Sequence, residues 1–132
     1  RHEVSHTLTV ETDHPVTRGL PKQFSLTDEV YLAHAFDDDV IALLSSDYEY
    51  HQDNFYSAQE AVQGRLYSRQ GWQHSEGTHL GAWVRRQGNS PIVYLQCGDG
   101  PETYADPNFR RLLANAIAWV SSEEAREWAR SD

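Results

Sequence analysis

Two adjacent carboxylates and a nearby phenol form the segment of this chain best suited to chemistry. Asp28 and Glu29 lie just before Tyr31, and such groups hydrogen-bond hydroxyls or transfer protons where burial raises a carboxyl pKa. On an extended segment Glu29 and Tyr31 share one side, and Asp28 points to the other. We interpret Glu29 as a candidate catalytic acid/base and Asp28 and Tyr31 as candidate substrate contacts. The alternative is a solvated acidic turn.

A second carboxylate, Asp99, follows a predicted strand in the segment Cys-Gly-Asp-Gly at residues 97–100. Ligands bind outside the carboxyl ends of the strands in open α/β sheets, so Asp99 is a second candidate catalytic residue. Cys97 is not interpreted as a nucleophile, because an elbow needs glycines on both sides and a helix directly after it. We expect Cys97 to be a small buried strand residue instead.

Two histidines and a tryptophan are further candidate substrate contacts, each with a structural alternative. His14 precedes Pro15 and either faces a pocket or caps a surface turn. His79 and Trp83 flank the start of a predicted strand. An indole face is a good platform for a sugar ring, and it is equally a normal part of a core.

Residues 2–6 spell His-Glu-x-x-His, a zinc-protease pattern that requires both histidines on one face of a helix. The segment alternates like a strand and lacks helix-forming neighbours, so we predict that this pattern is inert and assign no metal ligand and no cofactor. If the segment did bind a metal ion, His2, His6 and the distant His14 would be the candidate ligands.

Composition excludes several classes of function. The 132 residues predict a single domain, residues 1–132, and the net charge of -9, from 20 acidic and 11 basic residues, argues against a nucleic-acid partner. The longest apolar run, residues 40–44, is far too short to span a membrane. One cysteine excludes an internal disulfide, so a cytoplasmic location is expected. Because the chain has no methionine and begins with Arg1, we expect either a piece of a longer product or a short product without its first residue.

Local patterns predict both strands and helices. Alternation predicts a strand at residues 4–10, and a continuous apolar run predicts a doubly buried strand at residues 40–46. Residues 24–31 are expected to be extended, and residues 80–85 and 92–96 to form a hairpin. Residues 48–78 are polar and aromatic without clear periodicity. Helix starts are predicted where cap residues precede helical patterns, at Ser57, at Asp106 with Pro107, and at Ser121 with Ser122.

Several motifs in fixed order resemble one known family. They occupy residues 14–21, 27–31, 81–83, 93–100 and 105–113. Together they resemble the carboxyl-terminal half of the ThuA-like (trehalose utilisation) family, whose members are similar in fold to class I glutamine amidotransferases but lack the amidotransferase nucleophile. Two departures stand out, since Gly81 occupies a place where the family commonly has proline, and Asp99 one where it usually has histidine.

The resemblance implies an α/β fold like half of a flavodoxin-like, glutamine-amidotransferase-type domain, with a mixed, mostly parallel sheet and C-terminal helices. Half of such a sheet would expose an edge and an apolar face, so we expect a homodimer. The resemblance further implies a role in carbohydrate metabolism, with a disaccharide or keto-sugar as ligand and an unknown reaction. The alternative is a non-catalytic binding or assembly module, so enzymatic activity is left open.

Overall fold

One five-stranded antiparallel sheet organises the fold. The structure is a computed structural model that describes residues 1–34 and 39–131. The strands lie in the order β2-β1-β3-β4-β5, and every neighbouring pair is antiparallel. They are β1 (Val4–Val10), β2 (Gln23–Asp28), β3 (Ile41–Ser46), β4 (Leu80–Gln87) and β5 (Ser90–Leu95).

Most of the described helical structure follows the last strand. The helices are α1 (Ala58–Val62), α2 (Pro101–Ala105), α3 (Pro107–Val120) and α4 (Glu123–Arg130), and 3₁₀ turns lie at Pro15–Thr17 and Gln52–Asn54. In the described part of the chain, no helix combines the length and the apolar character that crossing a bilayer requires.

The predicted mostly parallel, flavodoxin-like sheet is wrong. Parallel neighbours need a crossover of a dozen or more residues, usually a helix. Here β1 and β2 are joined through the Pro15–Thr17 turn, and β4 and β5 form a hairpin around Gly88 and Asn89. Gly88 has a φ of 56°, which glycine tolerates at such a turn. The long helices α3 and α4 lie beyond the last strand and so cannot connect parallel strands.

The strand predictions themselves are confirmed, but the burial of β3 has a different cause. The predicted strand at residues 4–10 is β1, with Leu8 buried on one face and Thr7 turned to the other. Leu43 and Leu44 are both fully buried because the pairing of β3 with β4 is irregular between Ala42 and Ser45. A bulge, rather than cover on both faces of a parallel sheet, therefore explains this apolar run.

The cap predictions for the helices are confirmed. The Asp106 side chain accepts hydrogen bonds from the backbone N–H groups of Asn108 and Phe109 at 2.8 and 3.0 Å. The side chains of Ser57 and Ser122 cap α1 and α4 in the same way. The helices α2, α3 and α4 pack against the sheet, where a core of strand and helix residues includes Leu8, Leu26, Val84, Phe109, Leu112 and Trp119.

A second, smaller apolar cluster lies outside this core. It contains Val4, Val30, Tyr50 and Phe55, with Leu32, Tyr48 and Trp72 packed against it. Several of its aromatic residues belong to the long segment between β3 and β4, which the sequence left without a periodic element. Val30, which is fully buried, anchors the chain between the two candidate residues on either side of it.

Candidate functional site

Three side chains from distant parts of the chain converge at one point on the surface. The Nε2 atom of His2 lies 3.2 Å from Oε1 of Glu29, and its Nδ1 atom lies 3.6 Å from Oδ2 of Asp99. One possible ligand atom from each residue lies within 4.8 Å of those of the other two. His2 precedes β1, Glu29 follows β2, and Asp99 lies in the loop after β5.

Asp28 joins the two carboxylate-bearing segments. Its side chain is buried, with 5% exposure. Oδ2 accepts the backbone N–H of Gly98 at 2.7 Å, and Oδ1 accepts those of Asp99 at 3.1 Å and Glu29 at 2.9 Å. A carboxylate with three such bonds is well satisfied despite burial. It therefore places Asp99 beside Glu29 and is itself turned away from solvent.

Gln96 forms a second link between the same segments. Its Nε2 donates to the backbone carbonyl of Tyr31 at 3.2 Å, while its Oε1 accepts from the Tyr50 hydroxyl at 2.6 Å. Burial raises the pKa of Tyr50 to about 12, so this phenol stays protonated and keeps donating at neutral pH. The main chain of Tyr31 is thus held by a buried amide that is itself fixed.

The phenol of Tyr31 donates a hydrogen bond to Oε2 of Glu29. This bond, followed by partial burial, raises the pKa of Tyr31 above its ordinary value, so the phenol remains a donor. The Glu29 side chain is 15% exposed and that of Asp99 is 44% exposed. Glu29 is accordingly oriented from within the protein, whereas Asp99 is open to an incoming ligand.

His2 is placed by main-chain pairing. Val30 donates its backbone N–H to the carbonyl of Arg1 at 2.9 Å, and the main-chain nitrogen of Arg1 donates to the carbonyl of Val30 at 2.7 Å. This pairing continues the contact between β1 and β2 and sets the His2 ring beside Glu29. The sequence drew attention to His2 only through a pattern shared with His6, and nothing in the sequence indicated that Glu29 and Asp99 would be its neighbours.

One protein-family model matches most of the chain. The family model described as ThuA, trehalose utilisation, matches residues 1–120. The chain belongs to the ThuA family. Comparison with curated proteins and with solved structures gives no match. The match covers most of the chain, so this relationship extends over the whole sheet and all of α3. It includes His2, Asp28, Glu29, Tyr31 and Asp99, which together are called the acidic site.

In this ThuA-family chain His14 acts as a cap. Its Nδ1 accepts the N–H of Val16 at 3.2 Å, and its ring edge packs on Trp119 with a centroid distance of 4.6 Å. Burial outweighs the nearby carboxylates and lowers the pKa of His14. Asn115 of α3 then donates to the carbonyls of Val16 and Arg18, docking the whole turn on the helix. None of these contacts reaches the acidic site.

His79 and Trp83 lie elsewhere on the sheet. Trp83 stacks on its cross-strand neighbour Tyr94, with ring centroids 4.9 Å apart and planes inclined by 13°. His79 is exposed and lines an open depression of about 380 Å³ with Glu11 and three other residues of the sheet region. The fold thus brings together Asp28, Glu29, Tyr31 and Asp99 of the predicted residues, and it places His14, His79 and Trp83 apart from them.

The His-Glu-x-x-His pattern runs into β1 and does not lie on a helix, as expected, with His6 on the strand and His2 just before it. His6 is buried, and its Nδ1 lies 2.7 Å from the Ser46 hydroxyl. Burial lowers the pKa of His6, and its Nε2 has no hydrogen-bond partner among the described residues. A zinc-protease arrangement of His2 and His6 is therefore absent from this segment.

Cys97 is buried with 9% exposure, as the sequence predicted, but it lies just after the end of β5 and not in a strand as expected. Burial, with a contribution from the charge of Asp28, raises the pKa of the Cys97 thiol to about 12. A thiol in this state is a poor nucleophile, because the thiolate is the reactive form.

Proposed function

We propose that this ThuA-family chain binds a disaccharide or keto-sugar at the acidic site and that Glu29 and Asp99 serve there as acid/base groups. One observation carries the proposal: the Glu29 carboxylate, oriented by the Tyr31 phenol, lies beside the more exposed Asp99 carboxylate. The family description, trehalose utilisation, supports a carbohydrate ligand.

The chemistry of the site suits a polyhydroxylated ligand. Carboxylates accept short, charge-assisted hydrogen bonds from hydroxyl groups. A positioned carboxylate also takes up a proton from a hydroxyl or from the carbon next to a carbonyl, which is the acidified position of a keto-sugar. His2 lies between both carboxylates and offers an imidazole able to relay that proton to solvent.

The site also has the rigidity that proton transfer requires. Asp28 holds the backbone of Gly98 and Asp99, and Gln96 holds the carbonyl of Tyr31. Reacting groups held in place before the ligand arrives lose little entropy on binding it. We also keep the expectations that the partner is a small sugar rather than a nucleic acid and that the chain works in the cytoplasm.

Calorimetry against trehalose, other disaccharides and keto-sugars tests the proposal. Glu29→Gln keeps the shape and removes the charge, so it should cost about 1.5–3 kcal/mol of binding free energy. Tyr31→Phe and Asp99→Asn should also weaken binding. Asp53→Asn and Tyr67→Phe are matched controls, because both residues are exposed and lie outside the acidic site.

The variants must retain the wild-type melting temperature for the comparison to hold. Sugar affinity that is unchanged in Glu29→Gln, Tyr31→Phe and Asp99→Asn would remove the acidic site from the function. A chain that binds none of these sugars, yet forms a defined complex with another protein, would favour the non-catalytic assembly module.

A further inference from the structure

The convergence of an imidazole with two carboxylates points to a metal ion. We infer that His2, Glu29 and Asp99 together hold one divalent transition-metal ion, with Zn²⁺ as its representative. Three protein ligands leave a fourth position open, which is the arrangement of catalytic rather than structural zinc sites. One imidazole among oxygen ligands favours such an ion over Mg²⁺ or Ca²⁺, which prefer oxygen alone.

The three side chains lie close enough together to converge on one ion. Bonds of about 2.0–2.2 Å in a tetrahedral arrangement place neighbouring ligand atoms roughly 3.3–3.6 Å apart. One possible ligand atom from each of the three residues lies within 4.8 Å of those of the other two. The His2 ring presents Nε2 to Glu29 at 3.2 Å and Nδ1 to Asp99 at 3.6 Å, so the ring must turn to place a single nitrogen on an ion between the carboxylates. The His2 side chain is 69% exposed, so its ring has room to adjust onto an ion.

The local charge favours a bound cation. Among residues 1–34 and 39–131, no lysine or arginine side chain forms an ion pair with Glu29 or Asp99. His2 lies beside both carboxylates, and the amino group of Arg1 interacts with Glu29 through its charge without forming an ion pair. Two carboxylates at close range repel each other unless positive charge lies between them. A divalent ion supplies that charge.

The surroundings resemble the outer shell of a metal site. Ligating carboxylates are usually hydrogen-bonded in turn, which fixes their orientation. Glu29 has one oxygen toward His2 and the other bonded to the Tyr31 phenol. Asp28 fixes the main chain that carries Asp99. Each carboxylate ligand is therefore oriented by a residue that does not itself face the ion.

The open position of the ion gives the sugar a place to bind. Neighbouring hydroxyl or carbonyl oxygens of a sugar can coordinate a zinc ion that expands from four to five ligands. This step rests on the proposed function, whereas the ion itself does not. Asp99 is the more exposed of the two carboxylates, so it lies on the side from which the sugar approaches.

Calorimetry with Zn²⁺ alone and the visible spectrum of the Co²⁺-loaded chain test the ion without any sugar. We expect one equivalent to bind to the wild type and stoichiometric binding to be lost in His2→Ala, an exposed position where folding is not at risk. Asp99→Asn should behave like His2→Ala, and Tyr31→Phe should weaken binding about 10- to 100-fold through loss of the outer hydrogen bond.

Two histidine sites outside the acidic site serve as controls for adventitious zinc. His51 lies 3.3 Å from Asp53, and the rings of His34 and His74 stack 5.3 Å apart. His51→Ala and His74→Ala should retain the wild-type affinity. Binding that survives His2→Ala but disappears in His74→Ala would overturn the inference, as would the absence of any stoichiometric binding by the wild type.

A sugar titration before and after chelation separates the ion from the proposed function. Loss of sugar binding on chelation, restored by Zn²⁺, is the expected result. Sugar binding that persists after chelation would support the proposed function and overturn the role of the ion in it. Zinc binding that depends on His2, in a chain that binds no sugar, would support the ion and contradict the proposed function.

Discussion

The carboxylate of Asp28 accepts the backbone N–H of Asp99 at 3.1 Å, across 71 residues of sequence. Asp28 ends β2, and Asp99 lies in the loop after β5. The strands β2 and β5 are the two edge strands of the sheet. This hydrogen bond ties the loop that carries one candidate residue to the segment that carries the other. Asp28 thus acts as a positioning residue, since its own oxygens are occupied by main-chain donors.

Asp28→Asn should destabilise the fold and disorganise the site. An amide offers only one acceptor oxygen and turns its NH₂ group toward a backbone N–H, so we expect a loss of about 2–3 kcal/mol in the free energy of unfolding. Urea denaturation measures this loss, with the exposed Asp53→Asn as control. An unchanged urea midpoint would show that water replaces the carboxylate at no cost.

Gly98→Ala should damage the same loop through the backbone. Gly98 has a φ of 135°, and a Cβ there would lie 3.3 Å from the Tyr104 hydroxyl. We expect a cost of about 1–3 kcal/mol and weaker binding of Zn²⁺, because Asp99 would shift. Gly71→Ala is the matched control, since Gly71 has a φ of 68° but open space around its Cβ. Equal effects of the two variants on Zn²⁺ affinity would contradict this placement of Asp99.

Stability should fall on mild acidification, partly through His14. Burial lowers the pKa of His14 in the folded chain, so the unfolded chain binds the proton first as pH falls. The contribution of His14 to the free energy of unfolding is therefore fully present above the ordinary histidine pKa of about 6.5 and decreases as the pH falls below it. His14→Asn keeps an acceptor at the cap and removes the titration, so its stability should fall less between pH 7 and pH 5.

The matched control for this pH dependence is His51. Its side chain caps the Gln52–Asn54 turn by accepting the N–H of Asp53 at 3.3 Å, but at an exposed position. His51→Asn measures how the urea midpoint responds to replacing an exposed histidine cap, and the effect of His14→Asn is compared with it. His6, whose pKa burial also lowers, contributes in the same direction as His14 and remains in both variants.

Cys97 should resist thiol reagents in the native state. Its pKa is raised to about 12 and its side chain is buried, so both the thiolate fraction and access are low at neutral pH. Absorbance with a disulfide reagent should show negligible labelling of the folded chain and one rapid equivalent in urea. Fast stoichiometric labelling without denaturant would mean that the strand end opens readily.

Self-association stays a prediction, now on a different physical basis. A polar Ser/Thr ladder covers the outer face of β1 and β2, and within the described part of the chain β2 and β5 each pair with a strand on one side only. Pro91 interrupts the donors of β5, so we expect the edge of β2 to pair in a homodimer. Sedimentation should give about twice the 15.1 kDa chain mass. A mass that stays at the monomer value at micromolar concentration would contradict this prediction.

The sequence alone determined the local elements and part of the site. Alternation of residue types predicted β1, and the Asp106-Pro107 pair predicted the start of α3, because strand faces and helix caps depend on neighbours within a few residues. The sequence also marked Glu29 and Asp99 as chemically useful carboxylates. These signals can be recognised in a single sequence because none of them depends on the position of a distant segment.

Only the tertiary structure decided the sheet topology and the partners of these carboxylates. An apolar run such as residues 40–46 suits a parallel or an antiparallel neighbour equally well, and the bulge that buries both Leu43 and Leu44 has no local signature. His2, Glu29 and Asp99 meet because β1 pairs with β2 and Asp28 reaches the loop after β5. Such convergence results from long-range pairing, whose free energy belongs to the assembled sheet and not to any one segment.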